Sequence, residues 1–422
     1  MALKVAYLTT YDVHDRRAWA KCNMGLWGAG SQIAKHLTSN EVSLEYLGPL
    51  MPSNGISLGR IGRSVRSRFY SRLTNKRYLS DIESSRARDY ANQLNKKLAA
   101  SDADIALCPE NALVAAYVRC RQPVVLWTDA PIGAQIDSYP YLSNLCAHTI
   151  RQIHAIEKAA LENCKLTIYA SEWAAHSAAA LYGADKSKTR VLPRGGNVAP
   201  NGTRADVEQS VEARPFARCK LLLVGVDWFR KGADVAVQIA QRLHDGGLSV
   251  ELTVMGCRPP TDEPLPPFVR VINFIDKTTA EGAEQFNQVM AESHFLLLPA
   301  RAEAFGNVLT EANAFGVPSL ASDVGGIRTA IRDGVNGMVF SRSSSAADYA
   351  AYIALLMRDP QRYRELALSS LREYETRLNW PAICATARQL LFKLCRAHDE
   401  DRAIDFVPNA IIPAWLRATY PQ

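Results

Sequence analysis

The sequence predicts an α/β protein built from two doubly wound domains, and two observations carry that expectation. Short apolar runs of strand length alternate with longer helical stretches along the chain, the pattern of parallel strands joined by crossover helices. At 422 residues the chain also exceeds the roughly 250–300 at which a single core stops growing, so the alternation is expected to divide into two sheets.

In the first half, strands are expected at 4–8, 43–47, 105–108, 124–127 and 166–170. In the second half they are expected at 220–224, 249–255, 271–274, 295–298 and 319–321. The boundary is expected just after Pro193-Arg194-Gly195-Gly196-Asn197, because 198–217 is polar, contains two prolines and lacks apolar periodicity. The chain thus reads as a first domain over 1–197, a linker over 198–217, a second domain over 218–379, and C-terminal helices and a tail over 380–422. This last part follows a completed sheet and is expected to pack back toward the first domain.

Composition narrows the functional classes. With 48% hydrophobic and 22% charged residues the chain is a folded one. No apolar run approaches the ~20 residues that a spanning helix needs. The start runs straight into a strand without the zones of a signal peptide, so a cytoplasmic protein is expected. The nine cysteines include no C-x-x-C pair, which points to reduced, buried thiols rather than a metal or disulfide framework. The net charge of +7 owes much to Arg60, Arg63, Arg66, Arg68, Arg72, Lys76 and Arg77, a stretch with no acid between Glu45 and Asp81. That stretch suits an anionic membrane surface at the inner face or a solvated helix whose cations pair with acids elsewhere. No nucleic-acid-binding signature accompanies it, so nucleic acid is not an expected partner.

The segment Arg301 to Glu311 is the most informative. A buried strand ends at Pro299, a short loop holds Glu303, and a helix begins near Gly306. In a parallel sheet, ligands bind at this strand-to-helix edge. Free N–H groups of Gly306, Asn307 and Val308 would make an anion site suited to a diphosphate. Glu303 and Glu311 fall on either side of it, one for a sugar hydroxyl and one for a ribose hydroxyl; the plainer reading is a capping acid and a solvated helix residue.

Glu303 and Glu311 form an E-x7-E signature. Ala312-Asn313-Ala314-Phe315-Gly316-Val317-Pro318, Asp323-Val324-Gly325-Gly326-Ile327 and Asp333-Gly334-Val335-Asn336-Gly337 follow in order. The set resembles the group-1 family of retaining glycosyltransferases, which have the GT-B fold of two Rossmann-like domains facing a cleft. The resemblance implies that Glu303 contacts the donor sugar and Glu311 the nucleotide ribose. It extends to Leu221-Leu222-Leu223-Val224-Gly225 and Arg230-Lys231-Gly232, similar to the strand, turn and basic pair that hold the donor diphosphate. Lys231 stands six residues after Gly225, as in the family; Val226 stands where relatives carry Arg, and Arg230 is the candidate replacement. The donor-side set implied is Gly225, Phe274, Ala304, Phe305, Gly306, Asn307, Val308 and Glu311, with Glu303, Lys231 and Arg230 at the reacting centre.

On the acceptor side, Trp127-Thr128-Asp129-Ala130-Pro131 follows a buried strand. Asp129 is the candidate for orienting the acceptor, or else caps a turn. In the first loop, His14 and Asp15 are candidate acceptor contacts, and Lys21 falls where many relatives have glycine. Asp102-Ala103-Asp104 is a D-x-D, but it precedes its strand and so lies at the wrong end of the sheet for a metal-held diphosphate; it reads as a turn. No metal and no cofactor are therefore expected, the nucleotide diphosphate sugar being a substrate. The fingerprints of NAD and ATP sites are absent. The expected function is metal-independent, retaining transfer of a sugar to a saccharide or lipid-linked acceptor in cell-surface glycan or glycoconjugate synthesis. Its rivals are a silent nucleotide-sugar-binding protein and an epimerase or hydrolase on the same fold.

Overall fold

The computed structural model of the protein describes residues 2–15, 19, 24–53, 66, 70, 74–198, 202–260 and 264–399. The chain divides into two compact units. The first takes the chain up to Leu192 and again from Ile383 onward; the second takes Pro193–Ala382.

The first unit holds β1 (Leu3–Tyr7), α1 (Met24–Leu37), β2 (Val42–Tyr46), α2 (Ser84–Ala100), β3 (Ile105–Cys108), α3 (Ala112–Ala115) and β4 (Val124–Thr128). It continues through α4 (Ala147–Asn163), β5 (Leu166–Tyr169), α5 (Glu172–Tyr182) and β6 (Thr189–Val191). Its six strands lie in the order β2-β1-β3-β4-β5-β6, all parallel. β3, β4 and β5 are buried at every position, which is why they read as continuous apolar runs rather than alternating ones. Local sequence sets the helix ends: Ser171 caps α5 by accepting from the Ala174 N–H at 3.2 Å.

The second unit opens with α6 (Arg204–Glu212) and β7 (Cys219–Val224), followed by α7 (Ala233–Asp245), β8 (Val250–Met255), β9 (Val269–Ile272), α8 (Ala280–Glu292) and β10 (Phe295–Leu298). Then come α9 (Asn307–Asn313), β11 (Ser319–Ser322), α10 (Ile327–Ala330), β12 (Gly337–Phe340), α11 (Ala346–Met357) and α12 (Pro360–Thr376), after which α13 (Trp380–Asp399) starts in this unit and continues in the first. The order is β12-β11-β10-β7-β8-β9, again all parallel. The core of this unit packs Leu221, Leu223, Leu252, Val254, Phe295 and Leu297 of the sheet against Ala236 and Ile239 of α7 and Ile353 of α11.

Several expectations change. Within the stretch read as a linker, 204–212 is a helix with a reciprocal Thr203–Asp206 capping box, and Val207 and Val211, one turn apart, are buried. β9 lies two residues earlier than expected, which leaves Phe274 in the loop beyond it, exposed. The final strands of both sheets, β6 and β12, were not anticipated. From Ile383 the last helix belongs to the first unit, burying Cys384, Ala387, Leu391 and Leu394 there. Among the described residues no helix is long and apolar enough to cross a membrane.

Candidate functional site

Strand order decides where side chains distant in sequence meet. In the second unit the chain reverses its direction of winding between β7 and β10, so the loops that leave these two neighbours part to opposite faces and open a crevice. The first of these loops carries Arg230 and Lys231, the second Glu303. They are sewn together by backbone: the Arg301 N–H donates to the Arg230 carbonyl at 2.8 Å. The Arg301 guanidinium adds a two-pronged bond to Asp234, at 2.8 and 2.7 Å.

At this point three charged side chains converge. Lys231 Nζ lies 2.5 Å and Arg230 Nη1 3.3 Å from the same oxygen of Glu303, Oε2, and all three side chains are largely buried. Arg230 also donates to the Ala302 carbonyl at 3.2 Å. Burial would raise the Glu303 carboxyl, but the two cations more than offset it and hold it below the ordinary carboxylate range. Gly225 leaves room for this arrangement, because a Cβ there would run into the Lys231 stem.

The loop after β11 supports Glu303 from behind. The Gly326 N–H donates to the Glu303 carbonyl at 3.3 Å. Gly325, at φ +53°, brings its backbone against that same carbonyl with no space for a Cβ. The two glycines of Asp323-Val324-Gly325-Gly326-Ile327 thus place the acid. Gly306, at φ +88°, opens α9, which is only seven residues long. In so short a helix the charge work falls to the side chains of Lys231 and Arg230 rather than to a helix dipole.

The remaining donor-side residues divide by exposure. Ala304, Phe305 and Val308 have buried side chains, and Phe305 at 1% is a core anchor for the loop, so these positions offer a ligand only their backbone. Asn307 is half-buried. Phe274 and Val226 are exposed, Val226 at 68%. Glu311 lies on α9 apart from the three-charge cluster and pairs with Lys277, Nζ to Oε1 2.7 Å. Lys277 in turn sits over the Phe286 ring at 4.4 Å. Lys277 was missed from sequence; its only signal is a cation in the loop after the third strand of the sheet.

The first unit has its own reversal, between β1 and β3. Here Glu110, 2% exposed, accepts from the Thr10 N–H at 2.5 Å and the Thr10 hydroxyl at 2.8 Å. Burial pushes its carboxyl up to about 7, against the lowering effect of the bonds from Thr10 and the Trp27 side chain. Tyr11 stacks on Trp27 above it, ring centres 5.0 Å apart. Glu110 too was missed; an acid two residues past a buried strand was its signal. His14 is exposed with its ring edge-on to Tyr46, and the backbone N–H groups of His14 and Asp15 both donate to Asp12. Lys21 lies outside the described residues.

Asp129 is half-buried at the carboxyl end of β4, with its carbonyl accepting from the Ala170 N–H. The turn after it is held by Glu157, which accepts from the Ile132 N–H at 2.8 Å and which burial likewise raises to about 7. Asp102 and Asp104 are engaged at the opposite end of the sheet, Asp102 with the Lys4 ammonium and Asp104 with the Lys4 N–H. Of the basic stretch, Arg60, Arg63, Arg68 and Arg72 lie outside the described residues. Arg66 pairs with Glu83 at 3.3 Å, and the Arg77 guanidinium donates to the Pro140 carbonyl.

Residues 218–359 match the family described as Glycosyl transferases group 1, the resemblance read from the E-x7-E segment. A D-inositol 3-phosphate glycosyltransferase of Nocardia farcinica is 30% identical over 202 residues, 45% of this chain and 44% of that protein. One of the same description from Actinosynnema mirum is 33% identical over 191 residues, 42% of this chain and 45% of that protein. The chain thus spans less than half the length of these curated relatives. Among solved structures, a sucrose-phosphate synthase of Thermosynechococcus elongatus aligns with TM-score 0.62 and 17% identity, covering 94% of this chain and all of that one. WaaG, a glycosyltransferase involved in lipopolysaccharide biosynthesis, aligns with TM-score 0.56 and 17% identity over 92% of this chain and 99% of that one. At such identity the likeness is one of fold, the two-sheet fold of GT-B glycosyltransferases.

Proposed function

We propose that the chain acts as a glycosyltransferase of the group 1 kind that its residues 218–359 match, moving a sugar from a nucleoside diphosphate to an acceptor hydroxyl. One observation carries the reading: two cations and a carboxylate converge where the second sheet reverses its winding. Breaking the bond between the anomeric carbon and the phosphate oxygen leaves negative charge on that oxygen, and Lys231 and Arg230 are fixed in advance to receive it. Their presence supports a reaction that needs no metal. Glu303 beside them is suited to a sugar hydroxyl, and Glu311, with one oxygen on Lys277, to a ribose hydroxyl.

Retention is the expected outcome. The leaving phosphate oxygen takes the proton of the acceptor hydroxyl as the new carbon–oxygen bond forms on the same face of the sugar, so no protein nucleophile is called for. The acceptor is proposed to be a saccharide or a lipid-linked saccharide of a cell-surface glycan, with Asp129, His14 and Asp15 in the first unit as its candidate contacts. The silent-binder alternative draws on Val226, where relatives carry Arg; the Arg230 contact with Glu303 supplies a cation that weakens it. Cytoplasmic placement at an anionic membrane face remains part of the proposal only through the basic stretch.

The test is a thermal-shift panel of UDP-, GDP- and ADP-sugars in excess EDTA, followed by product analysis with the labelled donor that binds. A ligand at 100 times its dissociation constant stabilises by about 2.7 kcal/mol, well within detection. Transfer to a saccharide with the anomeric configuration kept is expected. Binding without turnover would establish the silent reading, and activity restored only by manganese or magnesium would remove the metal-independent one.

A further inference from the structure

The two cations proposed to hold the donor diphosphate are both engaged by one carboxylate oxygen. Lys231 at 2.5 Å and Arg230 at 3.3 Å share Glu303 Oε2, and the side chains of all three are only 10–13% exposed. Gly325 and Gly326 hold the backbone of the acid, the Gly306 turn backs its stem, and a swing of the carboxylate would part it from both cations. A phosphate that binds Lys231 must therefore settle on the far side of the same ammonium from a fixed carboxylate, about two hydrogen-bond lengths away. Like charges so close in a poorly hydrated site repel strongly.

We propose that Glu303 is a discriminating residue that weakens the grip of the site on free nucleoside diphosphate relative to the sugar-bearing donor, and so promotes product release. The inference rests on the donor reading above. A donor sugar compensates Glu303, since its hydroxyls donate to the carboxylate as the phosphates draw the cations away. A free nucleoside diphosphate offers no such hydroxyl. It also carries more negative charge, because a terminal phosphate has a second ionisation near 6, and that charge is shared among terminal oxygens that include the one the sugar had occupied. The carboxylate thus acts against the product twice and against the donor once, with compensation. Release of product limits turnover in many enzymes, and a fixed charge that favours it needs no moving part.

Calorimetric titration of UDP, GDP and ADP into the wild-type chain, Glu303→Gln and Glu303→Ala tests this. The nucleoside diphosphate that the wild type binds should bind at least tenfold tighter to both variants, while the corresponding nucleotide sugar gains no affinity. Equal or weaker binding of the diphosphate by folded variants would overturn the inference and leave the donor reading standing. Failure of the wild type to bind any of the three would overturn the donor reading and this inference with it. If one variant does not fold the other decides; if neither folds, the role of Glu303 is structural and the inference is wrong.

Discussion

Each unit presents a buried carboxylate at the point where its sheet reverses winding, yet the two are held in opposite ways. In the second unit Glu303 is met by two cations and kept below the ordinary carboxylate range. In the first, the partners of Glu110 among the described residues are the neutral donors of Thr10 and Trp27, and burial raises it to about 7. The same position in two related sheets therefore serves different ends. One is a carboxylate kept charged between two cations, a cluster of net positive charge suited to a polyanionic ligand. The other holds a group that is near half-protonated at neutral pH and whose bonds tie down the first loop. A carboxylate at a reversal point carries no function by itself; its partners decide it.

The largest effect expected from this contrast is at Lys231. Lys231→Ala removes the nearer cation from both donor binding and the developing leaving-group charge, and kcat/KM for the nucleotide sugar should fall roughly 100-fold. Steady-state kinetics that match the wild type would break the second-unit half of the comparison. A smaller effect is expected at Gly325→Ala, which needs a left-handed residue with a Cβ in the space of the Glu303 carbonyl. Donor affinity should weaken about tenfold and stability drop by on the order of 1–3 kcal/mol, as calorimetry and urea melts would reveal.

The smallest effect sharpens the first-unit half. Glu110 is raised from an ordinary 4.5 to about 7 in the folded chain, so between these values the folded state binds a proton that the unfolded state has released. Its contribution to stability is present in full below about pH 4.5 and fades as pH rises through about 7, by at most about 1.4 kcal/mol per pH unit. Glu110→Gln should flatten the decline in urea midpoint from pH 5 to pH 8, read by tryptophan fluorescence. An unchanged pH profile would mean that Glu110 does not titrate in this window.

What could be read from the sequence follows from the same physics. Central parallel strands such as β3, β4 and β10 are buried on both faces, so their apolar runs announce them. β6, half-buried throughout, and the edge strand β12, with alternate positions part-exposed, give no such run. Helix α6 buries only two valines and presents a polar surface that reads as linker. Glu303, Gly306 and Glu311 are close in sequence and visible as one motif. The ion pair of Glu303 with Lys231 spans 72 positions and depends on β10 lying beside β7, a matter of sheet order. Lys277 and Glu110 depend on it as well, and for that reason neither could be singled out from the sequence.

The return of the chain at Ile383 bears on how the protein comes to be made. The second unit is, in topological terms, inserted within the first, whose closing helix α13 is the last described element to be synthesised. All of Pro193–Ala382 is synthesised before Cys384, Ala387, Leu391 and Leu394, which cover their share of the first core, and before Arg388, which bonds the His36 carbonyl at 2.7 Å. The order of synthesis is thus not the order of completion: the second unit can finish folding while the first still waits for its final helix. A nascent chain stopped short of α13 would carry a finished charged crevice in its second unit and an uncovered apolar surface in its first, the kind of surface that chaperones bind.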